Sequence, residues 1–291
     1  MEKNIQQQLN ANSATAVRGD SSRASFYGYT CIGGREEDQD CLAYKAIGNR
    51  EIFTVCDGMG GHAGGCVASY TAVRTIIDAM KRQPEVIPTD LAMFTAITEA
   101  NTAIYNKAQQ EPSLKGMGTT VTLLIIDDEA AWITHVGDSR IYQLRKGRKV
   151  FRTFDHSMVF EQVLRKKMTE EEARVHPRSN MLSRALGVMP DIETAVTKLA
   201  YRPGDRFVLC CDGVWNTQPE PNIIALMTED TSAEATGKKI RTTVEELGKA
   251  SGEPYDNHTM IVVDIKVRSS YRNSILTKIK HLFSKVSKEK P

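Results

Sequence analysis

The sequence predicts a globular α+β protein, because strand patterns and helix patterns both recur along the chain. Runs rich in β-branched and aromatic residues predict strands at about 26–32, 51–56, 119–126, 131–136, 141–144, 206–211 and 259–265. Apolar residues at three- and four-residue spacing predict helices at about 66–82, 90–109 and 231–250. Several of these strands begin or end at an aspartate, which places carboxylates at strand ends.

The length and composition indicate a soluble globular protein that forms one large domain or two small ones. The chain has 291 residues, of which 41% are hydrophobic and 25% are charged. We expect a disordered lead-in at 1–25, a main folded domain at 26–267 and a separate tail at 268–291. No apolar run spans a bilayer, no signal pattern opens the chain, and the six cysteines form no Cys-x-x-Cys pair. These features predict a cytoplasmic protein with reduced thiols.

Charge is distributed unevenly along the chain. Eight of the 38 Lys and Arg residues but only one of the 36 acidic residues lie beyond residue 265, so the remaining chain carries about −5. This mildly acidic body suits cation binding and argues against a nucleic-acid groove.

The tail has an amphipathic pattern. Its apolar residues fall on one helical face: Ile275, Leu276, Ile279, Leu282, Phe283 and Val286. Such a basic helix can contact the inner membrane surface or a partner. A terminal helix packed on the body, or a solvated tail, is the alternative.

A glycine-rich loop follows the predicted strand at 51–56. Asp57 stands at the strand end, and five glycines lie between it and the next helix. A tight turn alone would explain the glycines. A phosphate-binding P-loop is excluded because its Gly-Lys-Ser/Thr sequence is absent, and a dinucleotide fingerprint does not begin with an aspartate.

The other loops and insertions give weaker signals. Residues 33–41 combine Arg35 with four acids, which indicates a solvated charged turn unless the loop folds beside Asp57. The polar helical segment at about 156–184 is predicted as a surface insertion. Thr169 is expected to begin a helix in this segment through a capping box. Thr231 is expected to begin the helix at about 231–250 in the same way. His135 is expected to be a packed histidine.

Five aspartates share a position at the ends of predicted strands: Asp40, Asp57, Asp138, Asp212 and Asp256. Carboxylates are the ligands that Mg²⁺ and Mn²⁺ prefer, whereas zinc would call for more Cys or His. Two such ions can share a bridging water and generate a hydroxide that attacks phosphorus. Arg35 could hold the phosphoryl oxygens in bidentate fashion. The residues therefore indicate phosphoester hydrolysis.

These motifs together resemble the protein phosphatase 2C family of metal-dependent Ser/Thr phosphatases, bacterial branch. The resemblance covers about 26–267 and rests on segments in the family's order: Arg35 to Asp40, Asp57 to Gly65, Gly118 to Thr120, Val136 to Arg140, Cys211 to Trp215, and Asp256-Asn257. It implies a four-layer α-β-β-α sandwich, in which helices flank two antiparallel sheets and a dinuclear Mn²⁺ or Mg²⁺ cleft opens at one end. Asp57 would bridge both metals, the Gly58 carbonyl would bind one, and Asp212 and Asp256 would hold the other.

The resemblance also assigns the remaining candidates. Asp40 would act through coordinated water, and Asp138 with Asp212 would hold a third, weaker metal. Arg35 matches the phosphate-binding arginine. The insertion at about 156–184 resembles the flap beside the active site, where substrate preference is expected to lie.

Three positions depart from the family pattern. Gln39 replaces a usual Glu, which removes a negative charge from the metal surroundings. Met59 stands where the animal form has its general-acid histidine, and His62 lies three residues later. His62 is a catalytic candidate that would protonate the leaving group, bind a metal water or brace the loop. Cys66 occupies a position that is often acidic in bacterial members.

The sequence thus predicts a monomeric protein phosphatase acting on phosphoserine and phosphothreonine. Its expected partners are phosphorylated proteins, in particular a bacterial Ser/Thr kinase and its targets. One alternative is a pseudophosphatase that binds phosphoproteins without turnover. Another is a regulatory phosphatase of an anti-sigma antagonist, which shares the chemistry and differs in substrate.

Overall fold

The computed structural model describes residues 15–60, 64–229 and 231–266, and two antiparallel sheets form its centre. The first sheet has the order β1 (Thr15–Asp20), β2 (Ala24–Cys31), β12 (His258–Ile265), β11 (Asp205–Cys210), β8 (Arg140–Arg145) and β9 (Arg148–Arg152). The second has the order β10 (Thr197–Leu199), β7 (Ala131–Val136), β6 (Val121–Ile126), β4 (Arg50–Met59) and β3 (Asp40–Ile47). The short β5 (Gly118–Thr119) pairs with the end of β4.

Helices cover the outer faces of both sheets. The long helices are α1 (Gly64–Arg82), α2 (Thr89–Gln110) and α7 (Ala233–Ser251). The short ones are α3 (Met158–Leu164), α4 (Glu170–Arg174), α5 (Asp212–Trp215) and α6 (Glu220–Met227), and a 3₁₀ turn spans Pro112–Leu114.

Alternation along the central strands creates three apolar layers. On β4, Phe53 and Val55 face the other sheet, while Ile52 and Cys56 face α1 and α2. On the first sheet, Tyr27, Tyr29 and Cys31 and their neighbours pack against α7. Because successive side chains of a strand point to opposite faces, each sheet is buried on both sides. The result is the predicted α-β-β-α sandwich, and the predicted fold class is confirmed.

Two local predictions were wrong. Part of the lead-in expected to be disordered at 1–25 forms β1, which pairs with β2 along its length. The glycine of β1 allows this close pairing of the two strands, because a Cβ at Gly19 would lie 2.4 Å from the Phe26 ring. The helix predicted to begin with a Thr231 capping box is instead capped by Ser232, whose hydroxyl accepts a hydrogen bond from the Ala235 amide at 3.2 Å.

Other local predictions are confirmed. The strands predicted at 119–126 and 131–136 are present as β6 and β7, which pair as a hairpin, and the long helices and the capping box of Thr169 and Glu172 are also present. His135 is a packed histidine, with its ring stacked on His156 and Nε2 against the Phe154 carbonyl. Within the described ranges, no helix is both long and apolar enough to cross a bilayer. The predicted amphipathic tail lies outside the described residues.

Candidate metal centre

The pairing of β3 with β4 places two of the predicted ligands side by side. Asp40 and Asp57 are direct Cα partners in this antiparallel pair. The backbone of Asp57 is fixed from the other side, because its amide donates to the Thr120 hydroxyl at 3.0 Å. Its carbonyl accepts from the Thr119 hydroxyl at 2.8 Å and from the Thr120 amide at 2.8 Å. The position of Asp57 is therefore set by three strands.

Gly58 occupies a site that admits no side chain. A Cβ there would lie 2.1 Å from the Gly65 carbonyl oxygen, and its amide already donates to the Gln39 carbonyl at 3.1 Å. Glycine is required for this close approach of two backbone segments. The first turn of α1 thus sits directly against the end of β4.

The other two clustered acids come from the first sheet. Asp212 opens α5 immediately after β11, and Asp256 precedes β12. A Cβ at Gly213 would lie 1.9 Å from the Asn257 carbonyl oxygen, so these two segments also approach closely. Since β11 and β12 are antiparallel neighbours, the end of one and the start of the other meet at the same edge.

Asn257 connects this edge to the loop that carries Arg35. Its side-chain nitrogen donates to the Ile32 carbonyl at 2.7 Å and to the Glu37 carbonyl at 2.9 Å. Its side-chain oxygen accepts from the Gln39 amide at 2.9 Å. The charged loop is thereby held beside Asp57, which is the condition under which it was expected to join a functional site.

These elements enclose a cleft of about 500 Å³ at one end of the sandwich. Its walls contain most of the predicted site residues: Arg35, Asp57, Gly58, Asp138, Asp212 and Asp256. Asp40 lies beneath the wall and is 8% exposed, and one of its carboxylate oxygens has no hydrogen-bond partner within the described ranges. Ligand atoms of Asp40, Asp57 and Cys211 lie within 4.8 Å of one another. The structure therefore brings together every predicted ligand, with Asp40 behind the others. His62 lies outside the described residues.

The buried carboxyl groups of the cluster repel one another when they are ionised and no cation is bound. Burial, reinforced by neighbouring carboxylates, raises the pKa of Asp40, Asp57 and Asp138 well above the ordinary range. Burial and the nearby Asp256 raise the pKa of Asp212 to about 6. Arg35 compensates part of this charge through an ion pair with Asp256 at 3.0 Å. Oxygen ligands, a partnerless buried carboxylate oxygen and an excess of negative charge fit hard divalent cations.

Another acid of the cleft, Asp138, is anchored by a separate structural network. The Trp215 indole donates to the Asp138 carbonyl at 3.0 Å. The Arg140 guanidinium stacks 3.4 Å from the centre of that indole and makes a bidentate pair with Asp155 at 2.7 and 2.8 Å. The β7–β8 turn is thus fixed against α5, which carries Asp212.

The predicted flap contributes directly to the cleft. Asn180 and Leu182, which lie beyond α4, line its wall. The segment is attached through His156, whose amide donates to the Gly137 carbonyl at 2.9 Å and whose carbonyl accepts from the Ser183 amide at 2.8 Å. The flap is therefore connected to the turn that carries Asp138.

Sequence reasoning gave no role to Thr120, Asn180, Leu182 or Asn257. Thr120 and Asn257 stand beside predicted ligands, so their place in the motifs was the available signal. Asn180 and Leu182 have no such signal, because only the folded flap brings them to the cleft. Of the departures from the family pattern, Gln39 and Met59 line the cleft, and Cys66 lies in α1.

Comparisons with known proteins give a consistent result. Residues 27–275 match the family model described as Protein phosphatase 2C. The Serine/threonine phosphatase stp of Listeria welshimeri is 33% identical over 229 residues, which cover 78% of this chain and 89% of the relative.

Solved structures agree with this match. The serine/threonine phosphatase PstP/Ppp of Mycobacterium tuberculosis has a TM-score of 0.74 at 27% identity, with 84% of this chain and 100% of that chain covered. The catalytic domain of PstP in complex with 2 manganese ions has a TM-score of 0.73 at 26% identity, with 87% and 100% covered.

Proposed function

Since the chain belongs to the protein phosphatase 2C family, we propose how its own residues carry out the reaction of that family. The protein is a metal-dependent protein Ser/Thr phosphatase, a hydrolase that uses Mn²⁺ or Mg²⁺. The assignment of individual residues to roles, the physiological partners and the part played by the tail are the proposal.

The proposed ligands are the acids of the cleft and one backbone carbonyl. Asp57 would bridge two ions, and the Gly58 carbonyl would bind one of them. Asp212 and Asp256 would hold the other, and Asp40 would act from behind through coordinated water. Asp138 with Asp212 would provide a third, weaker site. Support comes from the meeting of these groups around one cleft and from the raised pKa of Asp57 and its neighbours.

Burial would keep protons on several of these groups in the metal-free protein. When bound, the divalent ions supply the positive charge that stabilises the ionised carboxylates and activates water for attack on phosphorus. Binding therefore releases protons from the cluster, and metal affinity should rise with pH in the range where Asp212 ionises, near pH 6.

Arg35 is proposed to bind and orient the phosphoryl group. Its side chain is 53% exposed at the cleft, and the ion pair with Asp256 positions the guanidinium beside the ligands. A guanidinium has five N–H donors in a planar fork, so this pair leaves donors for phosphoryl oxygens. His62 is proposed as the general acid for the leaving oxygen.

The single observation that carries the proposal is the convergence of Asp57, Asp138, Asp212 and Asp256 on one cleft with Arg35. A pseudophosphatase would not require the full acidic set to be retained, so the binding-module alternative is not favoured.

The direct test is hydrolysis of p-nitrophenyl phosphate and of a phosphothreonine peptide by the full-length protein, with and without Mn²⁺. Wild type should show metal-dependent turnover, and Asp57→Asn should lower kcat by about 10³-fold or more because one interaction shared by both metals is lost. Glu246→Gln, at an exposed position of α7, is the matched control and should behave as wild type. Metal-independent turnover, or full activity of Asp57→Asn, would contradict the assignment.

The partners are proposed from the same chemistry. We propose that the protein opposes a bacterial Ser/Thr kinase and acts on the targets of that kinase. A phosphorylated anti-sigma antagonist would be a different substrate of the same site. Phosphoproteomics of a deletion strain separates these outcomes by which phosphorylated proteins accumulate.

For the tail at 268–291, contact with an anionic membrane surface or a partner is proposed from its sequence alone. Equal liposome co-sedimentation of the full-length and tail-deleted proteins would contradict membrane contact.

A further inference from the structure

A second group of metal-ligating side chains lies away from the acidic cleft, between the first sheet and α7. Cys31 ends β2 and His258 begins β12, and the two are direct Cα partners. Their side chains therefore share the face of the sheet that packs against α7. Glu245 reaches toward them from that helix. One ligand atom from each of the three residues lies within 4.8 Å of the other two.

His258 has no hydrogen-bond partner in the described part of the chain. It is 0% exposed, and both ring nitrogens are buried without a donor or acceptor within reach. The rings of Tyr29 and Tyr255 lie 5.6 and 6.1 Å from its centre and enclose it with aromatic surface. A buried polar group without a partner is costly, and such groups in native proteins call for an explanation such as an ion.

Two of the three side chains can offer a negatively charged ligand atom to a cation. Burial alone would raise the pKa of Glu245, but the hydrogen bond from Arg241 Nε, 2.8 Å from the carboxylate, lowers it. Burial raises the pKa of the Cys31 thiol to about 11, so this thiol keeps its proton. Its Sγ lies 3.8 Å from the same Glu245 oxygen, a long and weak contact. A bound cation would displace this proton and compensate both sulfur and carboxylate.

We propose that Cys31, Glu245 and His258 bind one Zn²⁺ ion at a site separate from the acidic cleft. Zinc bonds of about 2.0–2.3 Å place neighbouring ligands of a tetrahedron about 3.3–3.8 Å apart. The separation of 3.8 Å between Cys31 Sγ and Glu245 Oε1 already matches this spacing. The remaining separations, within 4.8 Å, require side-chain shifts of about 1 Å. Water takes the fourth position from the partly exposed Glu245 side.

The donor set separates this site from the cleft. Sulfur, imidazole and one carboxylate suit zinc, whereas the cleft offers mainly oxygen ligands that suit Mg²⁺ and Mn²⁺. Thiolate and carboxylate neutralise the two charges of the ion, and the thiol proton leaves to solvent. Arg241 remains as a donor to the ligating carboxylate, an arrangement that orients metal ligands in proteins.

The site lies at the base of the segments that form the cleft. Cys31 precedes the loop that carries Arg35, and His258 follows Asp256 by two residues. The two segments are already joined by the Asn257 side chain, which donates to the Ile32 carbonyl at 2.7 Å. Zinc at Cys31 and His258 would fix the strand ends from which both Arg35 and Asp256 project.

The test uses Co²⁺ as a spectroscopic substitute for Zn²⁺ in the full-length, reduced protein with excess Mg²⁺ present to fill the cleft. We expect a thiolate-to-cobalt charge-transfer absorption that one equivalent of Zn²⁺ abolishes. Cys31→Ser should remove the absorption, and Glu245→Gln should weaken Co²⁺ and Zn²⁺ binding by at least about 10-fold. Cys66→Ser and Glu246→Gln are the matched controls and should bind as wild type.

Two results would overturn the proposal. One is the absence of the absorption from wild type. The other is its persistence in Cys31→Ser together with its loss in Cys211→Ser, which would assign the ion to the cluster of Asp40 and Asp57. If Cys31→Ser fails to fold by circular dichroism, Glu245→Gln decides alone, because its side chain is partly exposed on a helix surface. Unchanged Co²⁺ affinity in that variant would refute the site.

Discussion

Replacing Asp212 with asparagine should stabilise the metal-free protein even though it destroys the metal site. In the folded chain, burial and Asp256 raise the pKa of Asp212 from 3.8 to about 6. The folded state therefore holds this proton more tightly than the unfolded state, and ionisation at neutral pH opposes folding. Asparagine keeps the shape and a hydrogen-bond acceptor but carries no charge.

The size of the effect follows from the shift in pKa. A difference of about two pH units corresponds to about 3 kcal/mol, and partial contact of the side chain with cleft water reduces this to about 2 kcal/mol. The penalty is absent below pH 3.8, grows as pH rises toward 6 and is constant above it. The gain of Asp212→Asn should thus be full at pH 7.5 and about half as large at pH 5. For a domain of this size the full gain is about 4–8 °C in Tm.

Urea and thermal unfolding in EDTA, at pH 5 and pH 7.5, measure this difference. Asp205→Asn is the matched control, because that buried carboxylate accepts hydrogen bonds from Arg145 at 2.6 and 2.7 Å and from Gln143 at 3.0 Å. It should lose stability where Asp212→Asn gains it. With saturating Mn²⁺ the order of wild type and Asp212→Asn should reverse. A metal-free Asp212→Asn protein no more stable than wild type at pH 7.5, or a gain independent of pH, would refute the reasoning.

Three further substitutions test the cleft and its support. Arg35→Lys should raise KM for p-nitrophenyl phosphate about 10-fold in steady-state assays, because an ammonium cannot make two parallel bonds to a phosphoryl group; an unchanged KM would remove Arg35 from substrate binding. Gln39→Glu adds a negative charge to the cleft wall and should lower the Mn²⁺ concentration for half-maximal activity about 3- to 10-fold, and a higher requirement would count against the charge argument. Asp155→Asn should cost about 3–5 kcal/mol in urea unfolding because it leaves the buried guanidinium of Arg140 without its carboxylate, and a loss under 1 kcal/mol would show that water replaces it.

The fold could be predicted from the sequence where the pattern is strong and local. Residues 119–126 and 131–136 are rich in β-branched and apolar residues on either side of Asp127-Asp128, and the structure has the hairpin of β6 and β7 there. The two long helices of the second sheet were predicted to within about two residues at each end. Buried faces impose these periodicities, so the sequence carries them directly.

The rest depends on partners that are distant along the chain. The loop at 33–41 has the composition of a solvated turn, and nothing local reveals that Asn257, 218 residues from Gln39, holds it beside Asp57. The strand β1 has a polar sequence and becomes a strand by pairing with β2. At α7, Thr231 matched a capping box, yet its hydroxyl bonds to Thr236 at 2.8 Å and Ser232 takes the cap. Contacts between distant segments decided the first two cases, and a local bond between two threonines accompanies the third.

A strand-end aspartate is therefore not in itself a sign of a metal site. Asp127 also follows an apolar strand and is only 5% exposed, yet its carboxylate accepts four hydrogen bonds, from the amides of Glu129 and Ala130, the Thr89 hydroxyl and the Trp132 indole. Burial alone would raise the pKa of Asp127, but these hydrogen bonds outweigh burial and lower the pKa. The bond from the Thr89 hydroxyl has the largest effect among them.

Asp40 stands at the start of β3, and one of its carboxylate oxygens has no hydrogen-bond partner among the described residues. Burial raises its pKa. Both residues look alike in the sequence, and what separates them is the supply of donors. Where protein donors satisfy a buried carboxylate, it serves the fold; where donors are too few, the carboxyl keeps its proton until a bound cation supplies positive charge.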